Sequence, residues 1–361
     1  MKTVGNYKYT YTDSNSSSHS VEFAPTTEAL NLVLSCYALY LATGNTIYSQ
    51  SIKSSTIGEY LRAAADLVSK VDPIPGRDAR KTETGDMFEG ISKILKEVKR
   101  IESVPNRREG YTIAMHRRFY QKIQFNTDLD CFLVVLFDWF TVALQLGLRR
   151  SKYSQGNTSG HLHIVEMSKL NTPKAFILDD VEFYTSSKQK LNRKAAIKNP
   201  SIVAFVRLRF RWQKNGNHGI YRWIARNTER PYLCSVTALI RIVERFLRLI
   251  GDKDPLIPIA VYKHNSGKPR YITSYLATIE IRKLAKEVHG LTKEEDINRF
   301  SSHSLRVGAC CIYFAAGYDD EFIKRVLRWE SDAWRTYVRD LVCTAIKVVD
   351  AMNKADTMPI M

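Results

Sequence analysis

Ser302-His303-Ser304-Leu305-Arg306 is followed by Trp329 and then by Tyr337. His303 and Arg306 stand three apart at the start of a predicted helix that runs to Ala316 and stops at Gly317. Residues at i and i+3 share a helix face, so an imidazole and a guanidinium can meet one ligand. Asp319-Asp320 opens the next predicted helix, which ends near Trp329, and Ser331-Asp332 caps a short last one carrying Trp334 and Tyr337. Far upstream, Gly147-Leu148-Arg149-Arg150-Ser151 ends an apolar helix and delivers Arg149 to its C-terminal boundary. Taken singly, each residue has an ordinary explanation. Tyr337 is one of 19 tyrosines, His303 suits a helix start, Trp329 suits a core, and Arg149 complements a helix dipole. The joint pattern is what points to a site.

Composition bounds the partners. The 361 residues carry 54 Lys+Arg against 37 Asp+Glu, a formal net charge of +17 that favours a polyanionic partner. Residues 23–104 hold ten basic and ten acidic residues, so the whole excess lies from Pro105 onward, with 42 basic against 25 acidic. Six cysteines (36, 131, 234, 310, 311 and 343) form no C-x-x-C pair and have no histidine at zinc spacing, so free thiols are expected. There is no G-x-x-x-x-G-K-[ST], no G-x-S-x-G and no H-E-x-x-H, and no cofactor or metal is expected. The longest apolar run, Cys131 to Leu148, is interrupted by Asp138 and Gln145 and reads as a buried helix, not a membrane span. The polar N-terminus has no apolar h-region, so no secretory signal is expected. The expected location is intracellular, nuclear in a eukaryotic host and cytoplasmic otherwise.

The expected fold class is mainly α with a small β-sheet or hairpin: a helical domain followed by a mixed α/β domain. Residues 1–22 read as a mobile tail, 23–104 as a helical bundle, 105–110 as a polar linker, and 111–361 as a second domain ending in a tail helix over 341–353. Helices are predicted over 26–41, 57–71 (with Ser54-Ser55-Thr56 before it), 87–101, 112–124 and 129–146. Strands are predicted over 175–184, 202–212 and 220–225, with Asn215-Gly216 as a hairpin signal. In the second strand Val206, Leu208, Phe210 and Trp212 alternate with Arg207, Arg209 and Arg211, which makes one face apolar and the other basic. After Pro231 the chain is predicted to be mostly helical.

These motifs, in this order, resemble the tyrosine recombinase (phage integrase) family. The resemblance rests on Arg149 in G-L-R-x-S, a hairpin lysine, H-x-L-R followed by V-G-A, and a late Trp followed by Tyr, and it spans roughly residues 110–345. Gln213-Lys214-Asn215-Gly216 and Leu327-Arg328-Trp329 look most like the crypton-type recombinases of eukaryotic mobile elements. The resemblance makes 23–104 a core-binding domain and 111–361 the catalytic domain. It implies site-specific cutting and rejoining of DNA through a covalent 3′-phosphotyrosyl intermediate at Tyr337, without metal or ATP. The residue types suit that chemistry. Arg149 and Arg306 offer planar, permanently charged forks for the non-bridging oxygens of a five-coordinate transition state. A phenol with a pKa of about 10 needs help to attack at neutral pH, from His303 and the two arginines. Lys214, on a cation-rich hairpin, is a general acid for the leaving 5′-oxygen. Trp329 donates its indole N–H to a phosphate oxygen or buttresses Tyr337.

The resemblance also implies the partners: duplex DNA, bound by a chain that is monomeric when free and forms a homotetramer on synapsed DNA, with no membrane. Candidate DNA contacts are Arg150, Lys188, Lys190, Arg193, Lys194 and the strand face of Arg207, Arg209 and Arg211, three like charges expected to be unpaired. The sequence departs from the family at three places. Lys152 stands where the family usually has an acid, Trp329 replaces a commoner histidine, and the N-terminal helical region is neutral. A type IB topoisomerase or telomere resolvase, or a DNA-binding protein that has lost cleavage, are the competing readings.

Overall fold

The computed structural model describes residues 7–12, 18–23, 27–44, 52–71, 78–82, 84–102, 107–157, 159–213, 216–338 and 349. The chain divides into two compact units, Met1–Pro105 and Asn106–Met361.

The first unit opens with β1 (Tyr7–Thr12) and β2 (Ser18–Phe23), paired antiparallel from Tyr7 opposite Phe23 to Thr12 opposite Ser18. Where the composition suggests a mobile tail, the structure has a hairpin. The alternation of Tyr7, Tyr9 and Tyr11 is a period-two strand signal that the many serines around it obscure. Three helices follow: α1 (Thr27–Ala42), α2 (Ser54–Val71) and α3 (Glu89–Ile101). Leu30, Leu34, Ala38 and Leu41 recur on one face of α1 and meet Ile57, Leu61 and Ala65 of α2 together with Phe88 and Ile91. That is the helical 3.6-residue period closing one small core.

The second unit is built around a helix buried on all sides. After α4 (Ile113–Ile123), whose N-terminus is capped by Thr112 Oγ1 accepting from the Met115 N–H, comes α5 (Phe132–Leu146). Every residue of α5 from Val134 to Leu144 is buried. Its one charged residue, Asp138, is fully buried and lies between Arg241 and Arg245 of α7 (Ser235–Leu249), with Arg245 Nη2 at 2.9 Å. A buried carboxylate is tolerable only when so paired, and the pair fixes the register of α5 on α7.

A four-stranded antiparallel sheet, in the order β4-β3-β5-β6, flanks these helices. Its strands are β3 (Val181–Tyr184), β4 (Lys190–Leu191), β5 (Phe205–Phe210) and β6 (Ile220–Ala225), and α6 (Arg193–Lys198) crosses between β4 and β5. The strand expected over 175–184 is regular only in its second half, because 178–180 form a 3-10 turn in which Asp180 accepts from the Ile177 N–H. The region after Pro231 is less helical than expected. A short hairpin of β7 (Val261–Lys263) and β8 (Pro269–Tyr271) interrupts it, closed around Gly267. Helices α8 (Ser274–His289), α9 (Glu294–Asn298), α10 (Ser304–Ala315) and α11 (Asp320–Leu327) follow, then a 3-10 turn over Asp332–Tyr337.

Gly308 sets the seat of α10. A Cβ there would lie 2.1 Å from the Tyr111 carbonyl oxygen, so only glycine lets the helix approach that backbone. Among the described residues no helix is long and apolar enough to cross a membrane. The tail helix expected over 341–353 lies outside the described residues, apart from Val349.

Candidate active site

Arg149 follows directly from the end of α5. Gly147 terminates that helix in the left-handed conformation (φ +53°), where a side chain would be strained and its Cβ would lie 2.7 Å from Leu327. Residues 150–152 then form a 3-10 turn, and the buried Tyr153 donates its hydroxyl hydrogen to the Ser302 carbonyl at 3.1 Å. One hydrogen bond thus links the Arg149 turn to the residue before His303. The same loop is held by the Ser302 N–H donating to Thr278 Oγ1 of α8 and by Tyr111 N–H donating to the Ser304 carbonyl.

His303, Arg306, Trp329 and Tyr337 meet at the N-terminal end of α10. His303 Nε2 lies 3.1 Å from Tyr337 Oη. The Arg306 guanidinium carbon lies 4.1 Å from the centre of the Trp329 ring, and Trp329 packs on Tyr337 with ring centres 5.8 Å apart. Arg306 is 1% exposed. Its Nη1 donates to the Gly147 carbonyl at 2.5 Å, while its Nη2 and the Trp329 Nε1 are buried without a hydrogen-bond partner among the described residues. A buried donor left unpaired costs about 1–3 kcal/mol, so each of these two N–H groups is free to take an acceptor.

The electrostatics follow from burial and from neighbouring cations. Burial, then Arg306, Arg108 and Arg149, pushes His303 down to about 4, so its imidazole is neutral at pH 7 and able to accept a proton. Burial raises the Tyr337 phenol, with Arg306 opposing. Arg306 is pushed down to about 9 by burial and by Arg149, and half-buried Arg149 is lowered by burial with Glu330 opposing. No carboxylate pairs with Arg149 or Arg306 among the described residues. The arrangement is a cationic pocket with open donors beside a phenol and a neutral base, suited to an oxyanion.

The structure adds a third arginine that the sequence reading does not single out. Arg328 is 7% exposed and adopts φ +58°, a backbone normally left to glycine. Its Nη2 donates to the Leu146 and Gly147 carbonyls at 3.0 and 3.4 Å, its Nη1 donates to Val326 at 3.2 Å, and its guanidinium carbon sits 4.0 Å from the Phe210 ring centre. Burial, then Arg306, Arg222 and Arg149, holds its guanidinium well below the usual arginine range. Nothing in the sequence signals a buried arginine in a left-handed turn. The sequence reading uses Arg328 only within the Leu327-Arg328-Trp329 string and gives it no role.

The hairpin expected to carry Lys214 is present, but Lys214 and Asn215 lie outside the described residues. Its described flanks are well anchored: the Gln213 N–H donates to His218 Nδ1 at 3.0 Å, and Asn217 Nδ2 donates to Glu330 Oε1 at 2.8 Å, beside Trp329.

The basic strand face is not three unpaired charges. Arg207 Nε bonds Glu182 Oε2 at 2.6 Å and Arg211 Nε bonds the buried Asp180 at 2.8 Å. Both acids come from the segment that β5 pairs with or abuts, so sheet pairing brings the compensation that the isolated strand lacks. Lys190 also pairs with Glu182, Arg193 with Asp179, and Arg150 stands 3.7 Å from Glu166. Arg209, Lys188 and Lys194 are exposed with no carboxylate partner among the described residues.

No protein-family model matches the chain, and a search of curated proteins finds no match. In solved structures the chain is similar to the Tn1549 transposon integrase in complex with circular intermediate DNA (16% identity, 84% of this chain and 80% of that one, TM-score 0.38). It is also similar to XerA recombinase (15% identity, 91% of this chain and 100% of that one, TM-score 0.37) and to a lambda integrase dimer bound to a core site (14% identity, 87% and 64%, TM-score 0.36).

Proposed function

We propose that this chain is a tyrosine recombinase that cuts and rejoins duplex DNA through Tyr337. The observation that carries the proposal is the meeting of His303, Arg306 and Tyr337, with Arg149 close enough to shift the charge of both His303 and Arg306. Arg149 comes from a segment more than 150 positions before the other three.

The chemistry follows from the groups present. The Tyr337 oxygen attacks phosphorus and its proton passes to His303 Nε2, the neutral base 3.1 Å away. Arg149, Arg306 Nη2 and the Trp329 N–H take the non-bridging oxygens, whose charge grows in the transition state. The bond to the 5′-oxygen breaks, and that oxygen receives a proton from Lys214, the role the sequence resemblance gives it. A 3′-phosphotyrosyl ester holds the bond energy, so rejoining needs no external energy source. In this reading residues 23–104 act as a core-binding domain, the substrate is duplex DNA, and strand exchange occurs in a homotetramer of the crypton-like kind.

The test is a suicide substrate: duplex DNA nicked near the cleavage position, so that the released fragment diffuses away and the adduct accumulates. The expected product is a protein–DNA adduct whose DNA-linked peptide contains Tyr337, lost in Tyr337→Phe while DNA binding persists. Binding without any adduct in the wild type makes the chain a DNA-binding protein of this fold. Relaxation of supercoiled DNA by dilute monomer makes it a type IB topoisomerase.

A further inference from the structure

The geometry assigns Lys152 a positioning role: it clamps the root of the β5–β6 hairpin, at Trp212, onto the turn that carries Arg149. The functional half of this inference rests on the strand-transfer reading above; the structural half does not.

Three stretches of chain converge on this side chain. Lys152 belongs to the Arg149 turn, since its own N–H donates to the Arg149 carbonyl at 2.9 Å. Its Nζ donates to the Lys174 carbonyl at 3.0 Å and to the Trp212 carbonyl just beyond β5. The ammonium lies 5.6 Å from the ring centres of both Phe176 and Trp212, within cation–π range. The Phe176 N–H returns to the Lys152 carbonyl at 3.0 Å, which closes the cluster. Lys152 is 6% exposed. A lysine so placed has no solvating role, because its head is committed to two backbone oxygens.

Several described contacts tie the hairpin down, among them Arg211 on Asp180 and the Ala175 carbonyl and Arg222 on the Arg325 carbonyl, and two of them flank its tip. On the β5 arm Trp212 is held by Lys152. Toward β6 Asn217 is held by Glu330, next to Trp329. Of these contacts the Lys152 clamp is the one that ties the hairpin to the Arg149 turn itself, and both must face one phosphate for strand transfer. A carboxylate at position 152 could not donate to either carbonyl.

The strength of the clamp depends on charge. The groups facing Lys152 are Asp180, which favours the ammonium, and Arg211, Arg328 and Arg149, which oppose it; Lys174 Nζ also approaches the Trp212 ring and bonds Glu166. Burial with this surplus of cations pushes Lys152 down to about 7. Above that pH the amine loses the charge-assisted part of both hydrogen bonds and its cation–π contacts.

Hydrogen exchange and adduct formation test the two halves separately. In wild type, Lys152→Met and Lys152→Arg, exchange is followed at the Gln213 and Gly219 amides from pH 6 to 9, against α5 as reference. Lys152→Met is expected to speed hairpin exchange about tenfold or more at pH 6, the loss of the charge-assisted hydrogen bond to Trp212, and Lys152→Arg to restore protection and keep it to pH 9. Wild-type protection is expected to fall above pH 7 relative to α5. Hairpin protection that tracks α5 at every pH, and is equal in wild type and Lys152→Met, overturns the clamp. If Lys152→Met does not fold, the wild-type pH series decides alone.

On the nicked duplex, the ratio of wild-type to Lys152→Met adduct rates is expected to be largest below pH 7 and to shrink above it. A ratio that is flat with pH overturns the functional half. No wild-type adduct at any pH overturns strand transfer, and the exchange data still decide the clamp.

Discussion

His303 and Tyr337 form a hydrogen bond between two neutral groups. Nε2 and Oη lie 3.1 Å apart, with the imidazole pushed down to about 4 and the phenol raised by burial. In the free protein the proton stays on the phenol. Two of the cations that hold the imidazole down, Arg306 and Arg149, are also the forks proposed for phosphate. An anion bound there offsets them, and the base strengthens only when substrate is present.

This relationship yields a titration. Measured by imidazole carbon NMR, His303 is expected to titrate near 4 in the free protein and to move upward when duplex DNA binds. The same shift has a stability consequence. The unfolded histidine, at about 6.5, binds its proton before the folded one does, so stability falls as pH drops from about 6.5 toward 4. Chemical denaturation at pH 6.5 and 4.5 checks the sign, and His303→Gln is expected to flatten part of the slope. His116, fully buried and also near 4, adds to the slope, as do carboxylates held low by ion pairs such as Glu182 and Glu287.

Arg306→Lys keeps the charge and loses the fork. The planar group bridges the Gly147 carbonyl and the Trp329 ring and leaves Nη2 free. An ammonium cannot do all three. Adduct formation is expected to slow by about 100- to 1000-fold, the cost of losing one preorganised oxyanion donor. Duplex affinity, measured by anisotropy, should change far less.

The strand arginines should separate by partner. Arg211→Ala strands the buried Asp180 carboxyl, so a loss of about 3 kcal/mol is expected in urea unfolding. Arg209→Ala breaks no ion pair. It is expected to leave stability within about 0.5 kcal/mol and to lower the slope of log affinity against log salt by about 1. A stability loss at Arg209 equal to that at Arg211 would contradict this division.

Gly308→Ala is expected to destabilise by about 3 kcal/mol, toward the upper end for overpacking, because the added methyl meets a backbone oxygen that cannot rotate away. The seat of α10 carries His303 and Arg306, so adduct yield should fall in parallel with the thermal midpoint.

Local signals made much of this legible. Leu30, Leu34, Ala38 and Leu41 announce α1 by period, Gly147 ends α5, and the alternation from Val206 to Phe210 marks β5. The residues proposed for chemistry were recognisable as types in order, and their convergence became visible only in three dimensions. What escaped was decided by pairing across sequence. Glu182 and Asp180 neutralise Arg207 and Arg211 from about 25 to 31 residues away, and no strand-level pattern predicts that. Lys152 is a charged side chain whose burial is set by two distant carbonyls. Arg328 occupies a glycine-type backbone that its residue type argues against.

Arg306 and Arg328 both donate to the single carbonyl oxygen of Gly147, and neither faces a carboxylate among the described residues. Two guanidiniums gathered on one oxygen oppose each other, like a spring held compressed by the rest of the fold. In the strand-transfer reading a small oxyanion seated there is expected to relieve that compression and to raise the melting temperature. Phosphate is expected to raise the melting temperature more in the wild type than in Arg306→Gln, a difference that the general stabilisation of folded chains by this salt does not produce.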